Sequence, residues 1–589
     1  MKAARDESWK FLDDYRGAAF AGEWPTLSEL FVLSARRYPE RACFTVFEPD
    51  RRSLDYAQAL AKIESAARKL RSLGIGRGDK VAVAGKNGPE WAVAYFSVLF
   101  AGAVVVPLDY QLSVHELANL IRAGDVVALF ADDEKEAELA AACPSLRAVL
   151  SLAAGRRGNV LDMDADEAYP RGGKLPPDSP AEGELAAILF TSGTMGSPKG
   201  VMLSHRNFVS DCFLAQANLP IYHTDVFYAL LPIHHAYTML AVFIESVSVG
   251  AELVFGKRMV IKQVLKDLKE AEVTMFLGVP LLFNKLLAGI IKGVREKGPI
   301  VFGLIHALMG LSFAVKKLTG KNPGKKLFRS VLDKAGLTSI RICISGGGPL
   351  APSVFRRYNE FGIDFVQGYG LTETSPILTL NPTDAFIVTS VGKLIPRVEL
   401  EILEPDVAGV GEIAVRGPMV MLGYYKMPDE TAEVLSAEGW LRTGDLGHID
   451  RGRYVYLEGR AKNLIVTEGG KNVYPEEIEN RFQLFDEVEQ VLVCGYIEDE
   501  EMKSEGIEAM LFPNVDRFKS GGGEGGPALD WAAAELRLRG IVDEVNQKLL
   551  PYQKISKVTV LRERLAETTK RTVKRFEVAK GAGASRAVS

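Results

Sequence analysis

The stretch "ILFTSGTMGSPKGVMLSH", residues 188 to 205, sets a turn rich in serine, threonine and glycine, with one proline and one lysine, between two apolar runs. Read between a strand and a helix, such a turn is an anion cradle. Its glycines permit unusual dihedrals, and backbone N–H groups meet a phosphate that no side chain blocks. Ser192, Gly193, Thr194 and Gly196 fit this use. A Walker loop is excluded, because that motif needs G-x-x-x-x-G-K-[ST], whereas Lys199 lies between Pro198 and Gly200. The kinase-type glycine loop does not fit either.

Outward from this turn the chain alternates short β-rich runs with helical periodicity. Upstream, after an amphipathic start at "TLSELFVLSARRYPE", come "KVAVAG", "PEWAVAYFSVLFAG", "AVVVPLD", "VHELANLIRAG" and "VVALFAD". Downstream follow "AELVFG", "IKQVLKDLKEA", "VTMFLGVP", "IRICISGGGPL" and "IDFVQGYG". This βαβ rhythm implies parallel sheets covered by helices. From about Val391 the pattern becomes hairpin-like ("VGKLIPRVELEILEP", "VGEIAVRG", "YVYLEGR"), with Gly and Pro at the turns. Past "EGRAKN" a compact α+β unit follows, broken by the flexible "KSGGGEGGP" at 519–527. The expected fold class is α/β: a large N-terminal region, 1–459, of two βαβ-type subdomains and a β subdomain, then a small α+β C-terminal domain, 460–589, with a basic tail from about 570.

At 589 residues the chain exceeds the ~250–300 at which a single core stops growing, so several domains are expected. A net charge of -4 and the lack of zinc-finger or ribonucleoprotein patterns argue against nucleic acid as a partner. The five scattered cysteines, with no C-x-x-C pair, read as reduced core residues of a cytosolic protein. The N-terminus carries acids where a secretory signal needs an apolar run, so a cytoplasmic location is expected. One stretch, "PIVFGLIHALMGLSFAV" at 299–315, is uncharged and precedes Lys316, Lys317, Lys321, Lys325, Lys326 and Arg329. It reads either as a buried helix with a solvated basic end, or as an interfacial helix through which 299–329 touches the inner membrane face as a peripheral contact.

"TSGTMGSPKG" resembles the phosphate signature of the adenylate-forming superfamily, in particular its medium- and long-chain fatty acyl-CoA synthetases. Further matches follow in the family's order. The resemblance implies that Thr191, Ser192, Gly193, Thr194, Gly196 and Lys199 hold phosphate, and that His235 of "LPIHHAYTM" lies beside the carboxylate and gates the acyl pocket. In "QGYGLTETSP" it implies Gly368, Tyr369 and Gly370 at the adenine, Thr372 on phosphate and Glu373 on Mg²⁺, an ion that favours hard oxygen ligands. Gly346 and Gly347 of "ISGGGPL" would lie along the adenine, Asp445 of "GWLRTGDLG" would grip the ribose with Arg460, and Lys462 would be the pivot. Gly469 and Gly470 would border the pantetheine channel of coenzyme A.

The implied reaction joins a small-molecule carboxylic acid, a medium- or long-chain fatty acid, to the AMP part of ATP, giving acyl-AMP and pyrophosphate, and then passes the acyl group to CoA. The family's pattern near the C-terminus, P-K-T-x-x-G-K-[IV]-x-R, is met here by "LAETTKRTVKR", 565–575, with Thr572 in place of the catalytic lysine. Lys570 and Lys574 flank it, and residues two apart in an extended loop share a side, roughly 6.6 Å apart, so either is a candidate substitute. The alternatives are a ligase that loads a separate carrier protein, a luciferase-like oxygenase, and a half-active or silent acyl-nucleotide-binding protein.

Overall fold

The computed structural model describes residues 9–48, 50–153, 159–162, 173–191, 198–257, 260–466, 471–483, 485–499, 504–519, 529–566 and 575. The quoted stretch sits in a seven-stranded sheet, where Leu185–Thr191 pairs antiparallel with Lys199–Ser204. The expected strand-to-helix placement of the cradle is therefore corrected: the turn joins two strands. The helix His205–Ala215 starts only after the second of them, capped by Ser204, whose hydroxyl accepts from the Asn207 N–H. The reason is local, since "KGVMLS" pairs as a strand before Ser204 supplies the cap. Residues 192–197 themselves lie outside the described residues.

Four further strands of this sheet, Lys80–Ala84, Val104–Pro107, Val126–Ala131 and Ala148–Ser151, run parallel. Their near-continuous apolar runs suit burial on both faces. All residues of the neighbouring helix Pro89–Phe100 are buried.

A second sheet has thirteen strands. Its parallel part holds Ala42–Val46, Glu252–Phe255, Val226–Ala229, Met275–Gly278, Ile342–Ser345 and Asp364–Tyr369. From Asp364–Tyr369 the order continues antiparallel through Thr379–Leu380, Gly392–Leu394, Tyr454–Arg460, Leu441–Ile449, Gly411–Arg416 and Glu399–Leu403. The hairpin-rich region read from Val391 is thus hydrogen-bonded onto the second αβ sheet. A last sheet of three strands, Val488–Asp499, Ser504–Pro513 and Lys557–Val560, shares a separate core with helices Pro475–Phe482 and Trp531–Asn546. All five cysteines are free, four of them buried.

The apolar stretch forms the helix Pro299–Thr319, and only 17% of its most apolar window is buried. This overturns the buried-helix reading. Ile300, Leu304, Leu311 and Leu318 are 86, 60, 59 and 85% exposed, and Ala307 and Ala314 complete the same outward stripe. The inward face carries Met309, Ser312 and Lys316. The helix is inverted because Lys316 finds its partners inside: its Nζ lies 2.6 Å from Asp364 and 2.7 Å from Asn359.

Candidate active site

The parallel strands Ile342–Ser345 and Asp364–Tyr369 end at one cavity of about 1690 Å³. Crevices beyond the carboxyl ends of parallel strands are where ligands bind in open α/β sheets. Ile342–Ser345 delivers Gly346 and Gly347 to the wall, and Asp364–Tyr369 delivers Gly368, Tyr369, Gly370, Thr372 and Glu373. Glycine is required at 370, where a Cβ would sit 1.5 Å from the Pro376 carbonyl oxygen. Gly347 has φ +75°, a left-handed conformation that favours glycine.

The opposite wall comes from the antiparallel pair Leu441–Ile449 and Tyr454–Arg460, whose register sets Asp445 directly beside Arg460. The Arg460 Nε lies 2.6 Å from Asp445 Oδ1, and the Tyr369 hydroxyl donates to Oδ2 at 2.7 Å. Asp445 is 6% exposed. Burial raises its pKa from the ordinary carboxylate value, while Arg460 and the Tyr369 hydrogen bond pull it down. The Tyr369 phenol is pushed up by burial and by the adjacent Asp445 charge. Lys462 lies just beyond in the same wall, its pKa lowered by partial burial and then by Arg460.

Thr191 and Lys199, which frame the cradle residues, also line this cavity. Lys199 Nζ sits 4.5 Å from the centre of the Tyr424 ring, a cation–π contact. The Tyr424 hydroxyl donates to Glu373 Oε1 at 2.9 Å. Reading motifs alone missed Tyr424, which enters because Gly423–Tyr424 pairs with Lys199–Ser204 across the sheet edge. The doublet in "GYYKMPDET" was the available signal. Glu373 fits a magnesium ligand: a hard carboxylate on the cavity wall, with one oxygen held by tyrosine.

His235 is placed differently from its expected partners. It precedes Ala236 and Tyr237, which line the cavity while His235 does not, and its ring lies 4.2 Å from that of His234. His234 Nε2 is 3.8 Å from Asp109 Oδ2.

The small C-terminal unit closes another side with Glu476, Arg481, Lys548 and Arg575. Arg575 Nη2 lies 2.5 Å from Glu479, whose carboxyl burial pushes up to about 7 against the pull of that guanidinium. Gln483 joins this unit to the glycine-rich strand end, accepting from the Ala351 N–H at 3.1 Å and donating to the Pro349 carbonyl at 3.0 Å. Gly469, Gly470, Lys570, Thr572 and Lys574 lie outside the described residues, as do Ser192, Gly193, Thr194 and Gly196.

The cleft thus couples a buried carboxylate–guanidinium–tyrosine cluster to a half-buried carboxylate, Glu373, a donor set suited to a sugar and a metal-bound phosphate. Residues 31–425 match the profile of the AMP-binding enzyme family, and the chain belongs to that family. Its fold is that of the adenylate-forming ligases, which activate a carboxylic acid with ATP through acyl-AMP. The chain is 30% identical to the long-chain-fatty-acid–CoA ligase FadD15 of Mycobacterium bovis over 74% of each chain. It is also 30% identical to feruloyl-CoA synthase of an Amycolatopsis species, over 80% of this chain and 85% of that one. Among solved structures, ATP-bound MatB from Rhodopseudomonas palustris superposes with a TM-score of 0.73 at 25% identity, covering 95% of this chain and 99% of MatB.

Proposed function

We propose that the chain is an AMP-forming fatty acid–CoA ligase that uses ATP, Mg²⁺ and coenzyme A. The observation that carries the reading is one cavity at the ends of two parallel strands, with Tyr369 and Glu373 on one wall and Asp445 and Arg460 on the other. The acid class is supported by relatives named as long-chain-fatty-acid–CoA ligases in Drosophila melanogaster and Mycobacterium bovis.

In this reading Asp445 accepts hydrogen bonds from the ribose hydroxyls, and Arg460 keeps that carboxylate ionised against its burial. Tyr369 borders the base, with Gly368, Gly370, Gly346 and Gly347 giving the ring room to approach. Lys199 and the cradle residues Ser192, Gly193, Thr194 and Gly196, with Thr191, position the phosphates, and Thr372 contacts the α-phosphate. Mg²⁺ held by Glu373 would neutralise phosphate charge. The protein's own contribution to the displacement is position and preorganised charge. His235 acts at the acyl entrance from behind Ala236 and Tyr237. The region from Arg460 onward turns about Lys462 between the two half-reactions, and Gly469 and Gly470 admit the thiol. Lys570 or Lys574 supplies the cation that Thr572 does not.

The test follows pyrophosphate release and thioester formation separately across fatty, aryl and short acids with ATP and CoA. Pyrophosphate and acyl-CoA from fatty acids are expected. Activity on aryl acids alone would overturn the fatty acid assignment, and nucleotide binding without either product would overturn the enzyme. A carrier protein as acceptor is the second reading, favoured by a chloroplastic Arabidopsis thaliana long-chain-fatty-acid–[acyl-carrier-protein] ligase at 29% identity. Acyl transfer to carrier protein with none to CoA would select it.

The same reading places the chain in a reducing compartment such as the cytoplasm, supported by its free cysteines. It docks on anionic membrane through the helix Pro299–Thr319. Lys292 and Lys297 precede the outward apolar stripe and Lys321, Lys326 and Arg329 follow it, all exposed, while Glu296 is the sole acid between Ile291 and Leu332. Cations flanking an apolar stripe match anionic headgroups above an acyl layer. The helix lies in the interface rather than across it, because its other face is tied to Asp364 and Asn359 through Lys316.

A further inference from the structure

Beside the nucleotide cleft the cavity wall includes Ala215, Leu219, Ile221 and Ala241, an apolar surface suited to an acyl chain. Part of this wall is the helical segment that follows His235, with a π-helical turn at Met239–Ile244. Such turns occur often at functional sites. The segment presents Tyr237, Ala241 and Glu245 to the cavity at intervals of four residues. Tyr237 stands at the cleft, its hydroxyl donating to the Ile344 carbonyl at 3.1 Å. Glu245 lies farther in, roughly 12 Å along the helix at about 1.5 Å per residue.

Glu245 is out of place for a hydrocarbon site. It is 3% exposed, it lines the cavity, and its carboxyl oxygens make no well-formed hydrogen bond, the nearest donors being the weak Cys212 thiol and the Gln216 amide. The Cys212 thiol and the Gln216 amide, one N–H of which is engaged with Ser248, hold its pKa down only weakly against burial, and Asp211 adds a second buried acid nearby. A pocket built only for methylene groups would end in leucine or alanine, because an unsatisfied buried carboxyl is destabilising. It is tolerated where a ligand completes its hydrogen bonds.

We propose that Glu245 forms a polar subsite at the inner end of the acid pocket, and that the acid activated here carries a hydroxyl group at the carbon that reaches it. The proposal rests on the acid-activating function above and deepens it. Burial pushes the Glu245 carboxyl up to about 8, so at neutral pH it is an uncharged acid. In that form it donates one hydrogen bond and accepts others, the complement of an alcohol. A site built to pair a hydroxyl rejects the analogue that lacks it far more strongly than an apolar pocket rejects an extra methylene.

The experiment measures pyrophosphate release by the full-length protein with straight-chain acids and their ω-hydroxy counterparts at each length from eight to sixteen carbons. Glu245→Leu and the near-isosteric Glu245→Gln are compared with wild type. The expected result is a preference of about 10–100-fold in kcat/KM for the hydroxy acid at one or two lengths. Glu245→Gln should retain that preference and Glu245→Leu should reverse it. Wild type favouring the unsubstituted acid at every length would overturn the subsite, as would identical preference profiles in wild type and Glu245→Leu. In either case pyrophosphate release still upholds acid activation, whereas no pyrophosphate with any acid would sink both.

Discussion

Asp445 is buried between Tyr369 and Arg460, so its charge depends on one ion pair at 2.6 Å and one hydrogen bond at 2.7 Å. Asp445→Asn keeps the shape and removes the charge. Charge-assisted hydrogen bonds contribute about 1.5–3 kcal/mol each, so kcat/KM for ATP should fall roughly 10–100-fold. Steady-state kinetics with the KM for the acid unchanged would check this, and an equal rise in both KM values would count against a ribose role. Lys570→Ala or Lys574→Ala should cost about 10²–10³ in pyrophosphate release if that lysine replaces the one absent at Thr572. An unchanged rate in both variants rules the substitution out. Glu245 gives the pH test. Its carboxyl is raised from 4.5 to about 8 in the fold, so the folded state retains a proton that the unfolded chain loses. Its contribution is present below about pH 4.5 and is lost as pH rises through about 8. Glu245→Gln should therefore gain thermal stability over wild type at pH 9 but not at pH 4.5, and parallel melting curves across that range would refute the burial. At this scale motif residues were legible because their chemistry needs particular atoms, whereas Tyr424 and Glu245 gain meaning only from what lies opposite them.

Among elements, helix Pro299–Thr319 separates composition from placement. Its length and apolar character were readable, but which side faced water was not, since the stripe at 300, 304, 307, 311, 314 and 318 could equally have served a core. Lys316 and Ser312 decide it by being buried on the other face. Co-sedimentation should show binding to vesicles containing phosphatidylglycerol and little binding to phosphatidylcholine alone. Leu304→Asp with Leu311→Asp should abolish it. Lys321→Glu with Lys326→Glu should weaken it more than tenfold, at about 1 kcal/mol per surface cation. A concentration-dependent dimer that ignores vesicles, and that Leu304→Asp dissolves, would assign the stripe to a second copy instead. The strand and helix runs of the two αβ halves appear where their periodicity put them, because parallel strands buried on both faces need continuous apolar sequence. The phosphate turn was misplaced before a helix because "KGVMLS" is too short to distinguish strand from helix by period alone.

For the whole molecule, hydrogen bonds of Gln483 tie the small C-terminal unit to the large region. Gln483 contributes hydrogen bonds to Ala351 and Pro349, and Arg575 enters the cavity wall from the tail. If the small unit turns between half-reactions, Gln483→Ala should slow pyrophosphate release several-fold, at about 0.5–1.5 kcal/mol per lost hydrogen bond. Thioester formation from supplied acyl-AMP should change less than twofold. Equal slowing of both steps would mean that the two units move as one body.

Sequence alone determined the family chemistry and the succession of elements, because short-range periodicity and dense motifs are local properties of the chain. Tertiary structure alone decided that the hairpin region extends the second sheet, that the apolar helix turns its greasy stripe outward, and that the buried Glu245 carboxyl lines the cavity. Each of these depends on contacts between residues far apart in the chain, such as Lys316 with Asp364 or Tyr424 with Glu373, which no local pattern encodes.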